Sequence, residues 1–172
     1  MVILLTGGSG CGKSTYAEKL IAALPGENRF YLATMQVRDE ESVRRVARHR
    51  AQRADKGFFT IECFSNLGKL ALPEGGVALL EDLPNLLANE MFDGGDVSRI
   101  IPDLNRLAAR CSHLVIVTND VFCDGAVYTG AMETYLREMA KINAHTAALA
   151  DYAAEVAYSI PVTLKGEAPC AF

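Results

Sequence analysis

The chain has 172 residues, half of them hydrophobic and 22% charged, which is enough apolar material for one buried core and argues against disorder or several domains. Seventeen Lys and Arg against 21 Asp and Glu leave a formal charge of −4, which argues against general binding to nucleic acid or anionic membranes and makes any anion site local. No apolar run approaches the ~20 residues of a membrane span. The five cysteines are scattered, without a C-x-x-C pair, which fits a reducing cytoplasm.

Val2–Thr6 reads as a continuous apolar strand, followed by a glycine-rich turn and a helix over Ser14–Ala23. Phe30–Thr34 is the next strand, and Glu41–Arg53 is a strongly basic helical segment. Strands are expected again at Phe58–Cys63, Val77–Glu81 and Leu114–Thr118, with turn chemistry at Pro73–Gly76, Asp93–Asp96 and Cys123–Gly130. From Ala131 to Glu155, Met132, Tyr135, Leu136, Met139, Ile142 and Leu149 recur at three- and four-residue spacings, predicting a long helix with a core-facing stripe. The closing strand, Val156–Leu164, contains Pro161, which removes a ladder donor and puts the strand at an edge or splits it in two. Apolar strands alternating with helices predict an α/β fold: a three-layer sandwich of the phosphate-loop NTPase type, with a mostly parallel sheet and an edge strand near the C-terminus, in one domain over residues 1–172.

The residues Gly7, Gly8, Ser9, Gly10, Cys11, Gly12, Lys13 and Ser14 satisfy G-x-x-x-x-G-K-[ST] between a strand and a helix. Glycines let successive backbone N–H groups and the helix N-terminus converge on a phosphate, while Lys13 brings a point charge to the terminal phosphates. Ser14 then offers a hydroxyl to Mg²⁺, and Thr15 continues the nucleotide-binding set. Such a site needs an acid at the end of a neighbouring strand for the metal side, and Val77–Leu80 is followed by two, Glu81 and Asp82. Glu81 is preferred, with Asp82 left open. Asn119 and Asp120 also follow a strand and reach the same carboxyl-end crevice less directly.

Segment Glu41–Arg53 carries five arginines, Arg44, Arg45, Arg48, Arg50 and Arg53, against one acid. Helical spacing sets Arg45, His49 and Arg53 in one row, with Val43 and Ala47 facing a core. Flanking positive charge disfavours protonation of His49, keeping a ring lone pair available, and would neutralise an incoming nucleotide's phosphates. Those are the needs of a histidine that attacks phosphorus, and equally the features of a solvated basic helix. His113 and His145 read as a strand-start residue and a packed helix residue.

Together with this loop and basic helix, Tyr31-Leu32-Ala33-Thr34, Thr60 with Glu62, Leu79-Leu80-Glu81 and Val117-Thr118-Asn119 resemble the adenosylcobinamide kinase / adenosylcobinamide-phosphate guanylyltransferase family of cobalamin biosynthesis. The resemblance runs in order through nearly the whole chain. It implies two reactions on adenosylcobinamide and its phosphate: phosphorylation by ATP or GTP, then GMP transfer from GTP through a histidine-bound nucleotide. On that reading His49 is the nucleophile, Lys13 serves both steps, and Ser14 and Glu81 place Mg²⁺. Thr34, Arg50, Arg53 and Glu62 join the nucleotide-binding set, and the resemblance implies a homotrimer; composition adds the expectation of a cytoplasmic protein with no nucleic-acid partner and no membrane span. Departures from the family pattern lie at Gly10, Cys11, Ala54 and the stretch after Asn119. Two other readings fit the residues: a small-molecule kinase of the same fold without a covalent step, and a non-catalytic nucleotide-binding regulatory module.

Overall fold

The computed structural model of the chain describes residues 1–40, 43, 44, 46, 47, 57–121 and 125–169. Seven strands form one sheet: β1 (Val2–Thr6), β2 (Arg29–Ala33), β3 (Phe58–Glu62), β4 (Val77–Glu81), β5 (His113–Val117), β6 (Tyr152–Ala157) and β7 (Ile160–Lys165). Their order is β3-β2-β4-β5-β1-β6-β7. Every neighbouring pair is parallel except β6 with β7. Among the described residues the α-helices with described bounds are α1 (Lys13–Ala23), α2 (Leu83–Phe92), α3 (Ile100–Arg110) and α4 (Ala131–Leu149).

Alternation along the central strands sends side chains to two cores. Leu4, Leu32, Leu80 and Ile116 pack on one face with Leu86 of α2, Leu104 of α3 and Ile142 of α4. Ile3, Leu5, Leu79 and Val115 pack on the other with Ala17, Leu20 and Ile21 of α1. Because both faces are covered, β1, β4 and β5 are near-continuously apolar, as parallel strands are expected to be. Leu20, Ile21, Leu79 and Leu80 are fully buried, each contributing roughly 1.5–3 kcal/mol of hydrophobic stabilisation.

The expected mostly parallel α/β sheet is present, with shifts at particular elements. The long helix ends at Leu149 rather than continuing to Glu155, and Tyr152–Glu155 belong to β6, paired in parallel with Ile3–Thr6. Apolar spacing fits either conformation there, and pairing with β1 together with burial of Tyr152 and Ala154 in the core shared with α1 decides for the strand. The expected closing strand is a hairpin: β6 and β7 are joined through Tyr158 and Ser159, and Pro161 sits on β7, the outer edge of the sheet. Leu136 is only partly buried and Met132 is 44% exposed, so the buried part of the α4 stripe centres on Met139 and Ile142.

Six parallel strands place their carboxyl ends on one side. The turns after β1 and β4 and the chain after β5 therefore converge there, which is where open α/β sheets build ligand sites.

Candidate active site

The turn after β1 is shaped by glycine where no other residue fits. Gly7 has φ +140°, and a Cβ on it would meet the Val156 carbonyl oxygen at 2.4 Å. Gly12 closes the loop at φ 98° and is the N-cap of α1, with no side-chain cap, so the first N–H groups of α1 are left for an anion. Lys13 is buried, and its Nζ donates to the carbonyls of Gly7 at 2.8 Å and Gly8 at 2.7 Å. The cation is thus held against the backbone of the loop it serves.

Ser14, one residue into α1, donates its hydroxyl to Glu81 Oε1 at the end of β4. This contact spans the two elements that the sequence assigned to the metal side. Hydroxyl and carboxylate oxygens are the hard donors that Mg²⁺ takes alongside phosphate oxygens, so the pair fits such an ion.

Asp82 does different work. It is the N-cap of α2, its Oδ1 accepting from Asn85 N at 2.9 Å and Asn85 Nδ2 at 2.8 Å, while Asn119 Nδ2 lies 3.4 Å from Oδ2. Burial pushes its carboxyl above the ordinary carboxylate range, against the hydrogen bonds from Asn85 and the nearby charge of Lys13, which pull it down. Asn119, a weaker expectation, is accordingly in the site beside Asp82. Asn85 was not foreseen, although its place three residues after a strand-terminal Asp is a capping signal.

A cavity of about 710 Å³ opens on this loop. Ser9, Gly10, Cys11, Gly12, Lys13, Ser14 and Thr15 form one side, Glu81, Asp82 and Asn119 the floor, and Tyr31, Ala33, Thr60 and Glu62 of β2 and β3 the far wall. Val46 lines it too. Gly7 and Gly8 shape the loop from behind through their carbonyls and do not line the cavity.

Thr34 also stands behind the site. It is fully buried, its Oγ1 lying 2.8 Å from Glu81 O and 2.9 Å from Asp82 O, and it accepts from Asp82 N at 2.6 Å. It braces the backbone that presents Glu81 and Asp82 and does not line the cavity.

In the basic segment the expected burial of Val43 and Ala47 is not found: Val43 is 51% exposed and Ala47 is exposed. Of the described residues of this segment, Val46 lines the cavity. Arg44 makes an exposed pair with Glu40 at 2.9 Å. Arg45, Arg48, His49, Arg50, Arg53 and Ala54 lie outside the described residues.

The other histidines are remote from this chemistry. His145 Nε2 lies 2.9 Å from Asn105 Oδ1. His113 begins β5, with burial and the N-terminal charge lowering its basicity. Cys63 and Cys111 are buried thiols pushed up to about 11, chiefly by burial. Among the described residues no group of three or more His, Cys, Asp or Glu side chains forms a metal cluster, and no helix is long and apolar enough to cross a membrane.

A glycine loop between a buried parallel strand and an uncapped helix, faced by a strand-end carboxylate, defines a phosphate-loop nucleotide-binding protein. The fold agrees: the flagellar accessory protein FlaH from Methanocaldococcus jannaschii superposes with a TM-score of 0.51 at 13% identity, covering 99% of this chain and 81% of that one. The family model for cobinamide kinase / cobinamide phosphate guanyltransferase matches residues 3–164, and the chain belongs to that family. It is 31% identical to the bifunctional adenosylcobalamin biosynthesis protein CobU of Escherichia coli and 32% identical to that of Salmonella typhimurium. Each alignment covers 96% of this chain and 100% of the relative.

Proposed function

We propose that the protein is a bifunctional enzyme that phosphorylates adenosylcobinamide and then converts the phosphate to its GDP derivative. The observation that carries this reading is one cavity joining the phosphate loop to Val46, three residues before His49 in the chain. Family membership over residues 3–164 supports both activities.

In the first reaction the aminopropanol hydroxyl oxygen attacks the terminal phosphorus of ATP or GTP. The bond to the bridging oxygen breaks, the nucleoside diphosphate leaves and the hydroxyl proton passes to water. The loop N–H groups and the start of α1 hold the phosphates, and Lys13 exchanges its carbonyl partners for phosphate oxygens as charge develops on them. Ser14 and Glu81 would hold Mg²⁺, which when bound supplies neutralising charge to the phosphate oxygens. Asp82, fixed by Asn85, holds the floor of the site in place.

In the second reaction a ring nitrogen of His49 attacks the α-phosphorus of GTP and pyrophosphate departs. The phosphate oxygen of the cobinamide phosphate then attacks that phosphorus, the P–N bond breaks and the imidazole is regenerated. Arg50, Arg53 and Glu62 bind the nucleotide during this step, and Arg45 adds to the positive field. The working enzyme is a cytoplasmic homotrimer.

Intact-protein mass spectrometry after exposure to GTP and a divalent cation tests the covalent step. A GMP adduct that is acid-labile and absent from His49→Ala is expected. Turnover to the GDP derivative without any adduct would leave direct transfer in its place.

A further inference from the structure

The β6–β7 turn is built against local preference. Ala157 pairs with Ile160, so Tyr158 and Ser159 are the two central residues of a tight hairpin. Both have positive φ, 52° and 66°. That geometry is normally given to Asn-Gly, and two consecutive L side chains in it are disfavoured.

What holds the turn is the phosphate loop. Ser159 N–H donates to the Cys11 carbonyl at 2.7 Å. The approach is so close that a Cβ on Gly12 would meet Ser159 Oγ at 2.4 Å. The residue beside this clamp is Tyr158, whose side chain is left almost wholly uncovered, at 94% exposure. A strained, fastened turn that displays a bare aromatic ring next to a ligand loop is an arrangement expected where the ring meets a ligand.

The sheet order says which part of the ligand. Glu81, which faces Ser14, ends β4, two strands from β1 on one side, and the hairpin tip follows β6 on the other side of β1. With a terminal phosphate at Ser14 and Glu81, on the β4 side of the loop, the hairpin tip stands on the opposite side, where the other end of a nucleotide laid across the loop would extend.

We infer that Tyr158 is the stacking platform for the purine base of the phosphoryl-donor nucleotide, carried on a hairpin that the phosphate loop itself fixes in place. This inference rests on the phosphate-loop reading above and adds to it the site of the base. Stacking accepts either purine, so the platform serves ATP and GTP alike.

The test uses the full chain, calorimetric titration with MgATP and with magnesium tripolyphosphate, and two variants. Tyr158→Gly removes the ring while suiting the positive φ, so its thermal stability is expected to be no lower than that of the parent. Its ATP affinity should fall roughly tenfold, with tripolyphosphate binding unchanged. The chain has no tryptophan, so Tyr158→Trp introduces a single reporter whose emission should be quenched by ATP and not by tripolyphosphate.

Unchanged ATP affinity in Tyr158→Gly, or equal loss for both ligands, would overturn the platform. So would a change in sedimentation mass with ATP binding intact, since that assigns the tyrosine to a contact between chains. A parent protein that binds tripolyphosphate as tightly as ATP overturns the platform alone. One that binds neither overturns the phosphate-loop reading and the platform with it.

Discussion

The hydroxyl of Ser14 and the carboxylate of Glu81 are hydrogen-bonded to one another, although 67 residues separate them in the chain. The contact joins the first turn of α1 to the end of β4, which is not even adjacent to β1 in the sheet. On the proposed function the two groups, which touch, also serve one ion and act as a unit, so their mutational effects will not add. Ser14→Ala and Glu81→Gln should each lower kcat for phosphorylation by about a hundredfold, the scale of losing one oriented electrostatic contact. The double variant should fall little further. Initial rates against Mg²⁺ concentration in all four proteins check this, and multiplicative losses would mean that the two side chains act separately.

On the proposed function one cation serves phosphates in both reactions, so Lys13→Ala should reduce each by about a hundredfold or more. His49→Ala should remove only GMP transfer. Rates for ADP release and for formation of the GDP derivative, measured side by side on the two variants, separate the roles. Loss of phosphorylation in His49→Ala would count against the division of labour.

The raised carboxyl of Asp82 sets a direction for stability against pH. In the folded protein Asp82 keeps its proton to higher pH than in the unfolded chain, where its ordinary value is 3.8. Its contribution is therefore fully present below that value and is lost as pH rises through the folded value. Asp82→Asn keeps a good N-cap and cannot ionise. Melting temperatures across this window should decline less in Asp82→Asn than in the parent, and parallel curves would assign the decline to other groups.

Glu90 offers a stability test away from the chemistry. It is buried, and its two carboxylate oxygens accept from the backbone N–H groups of Asn66 and, at 2.8 Å, Asp96. Glu90→Ala leaves both donors without their acceptor, at roughly 1–3 kcal/mol each. Urea denaturation should show a loss of about 2–6 kcal/mol, with nucleotide affinity nearly intact.

Much of this was legible from residue order because the decisive signals are local. The loop from Gly7 to Ser14 states its own conformation, and Glu81 was identified from a strand ending in an acid. The apolar spacing of Tyr152–Glu155 fits both helix and strand, and only pairing with β1 distinguishes them. The contacts of Thr34 with Glu81 and Asp82 are not legible in the sequence, since those partners are distant along the chain. Asn85 and the Tyr158–Ser159 turn escaped for the same reason: each acquires meaning from an element that the chain reaches elsewhere.

The lodging of Lys13 against the Gly7 and Gly8 carbonyls changes what capture of a triphosphate requires. An ammonium in free solution would have to shed a tightly held hydration shell before meeting phosphate. Here that dehydration was completed when the chain folded, and two peptide dipoles took the place of water. On the proposed function an arriving phosphate needs only to outcompete those dipoles, and the lysine would meet it by exchanging one set of oxygen neighbours for another.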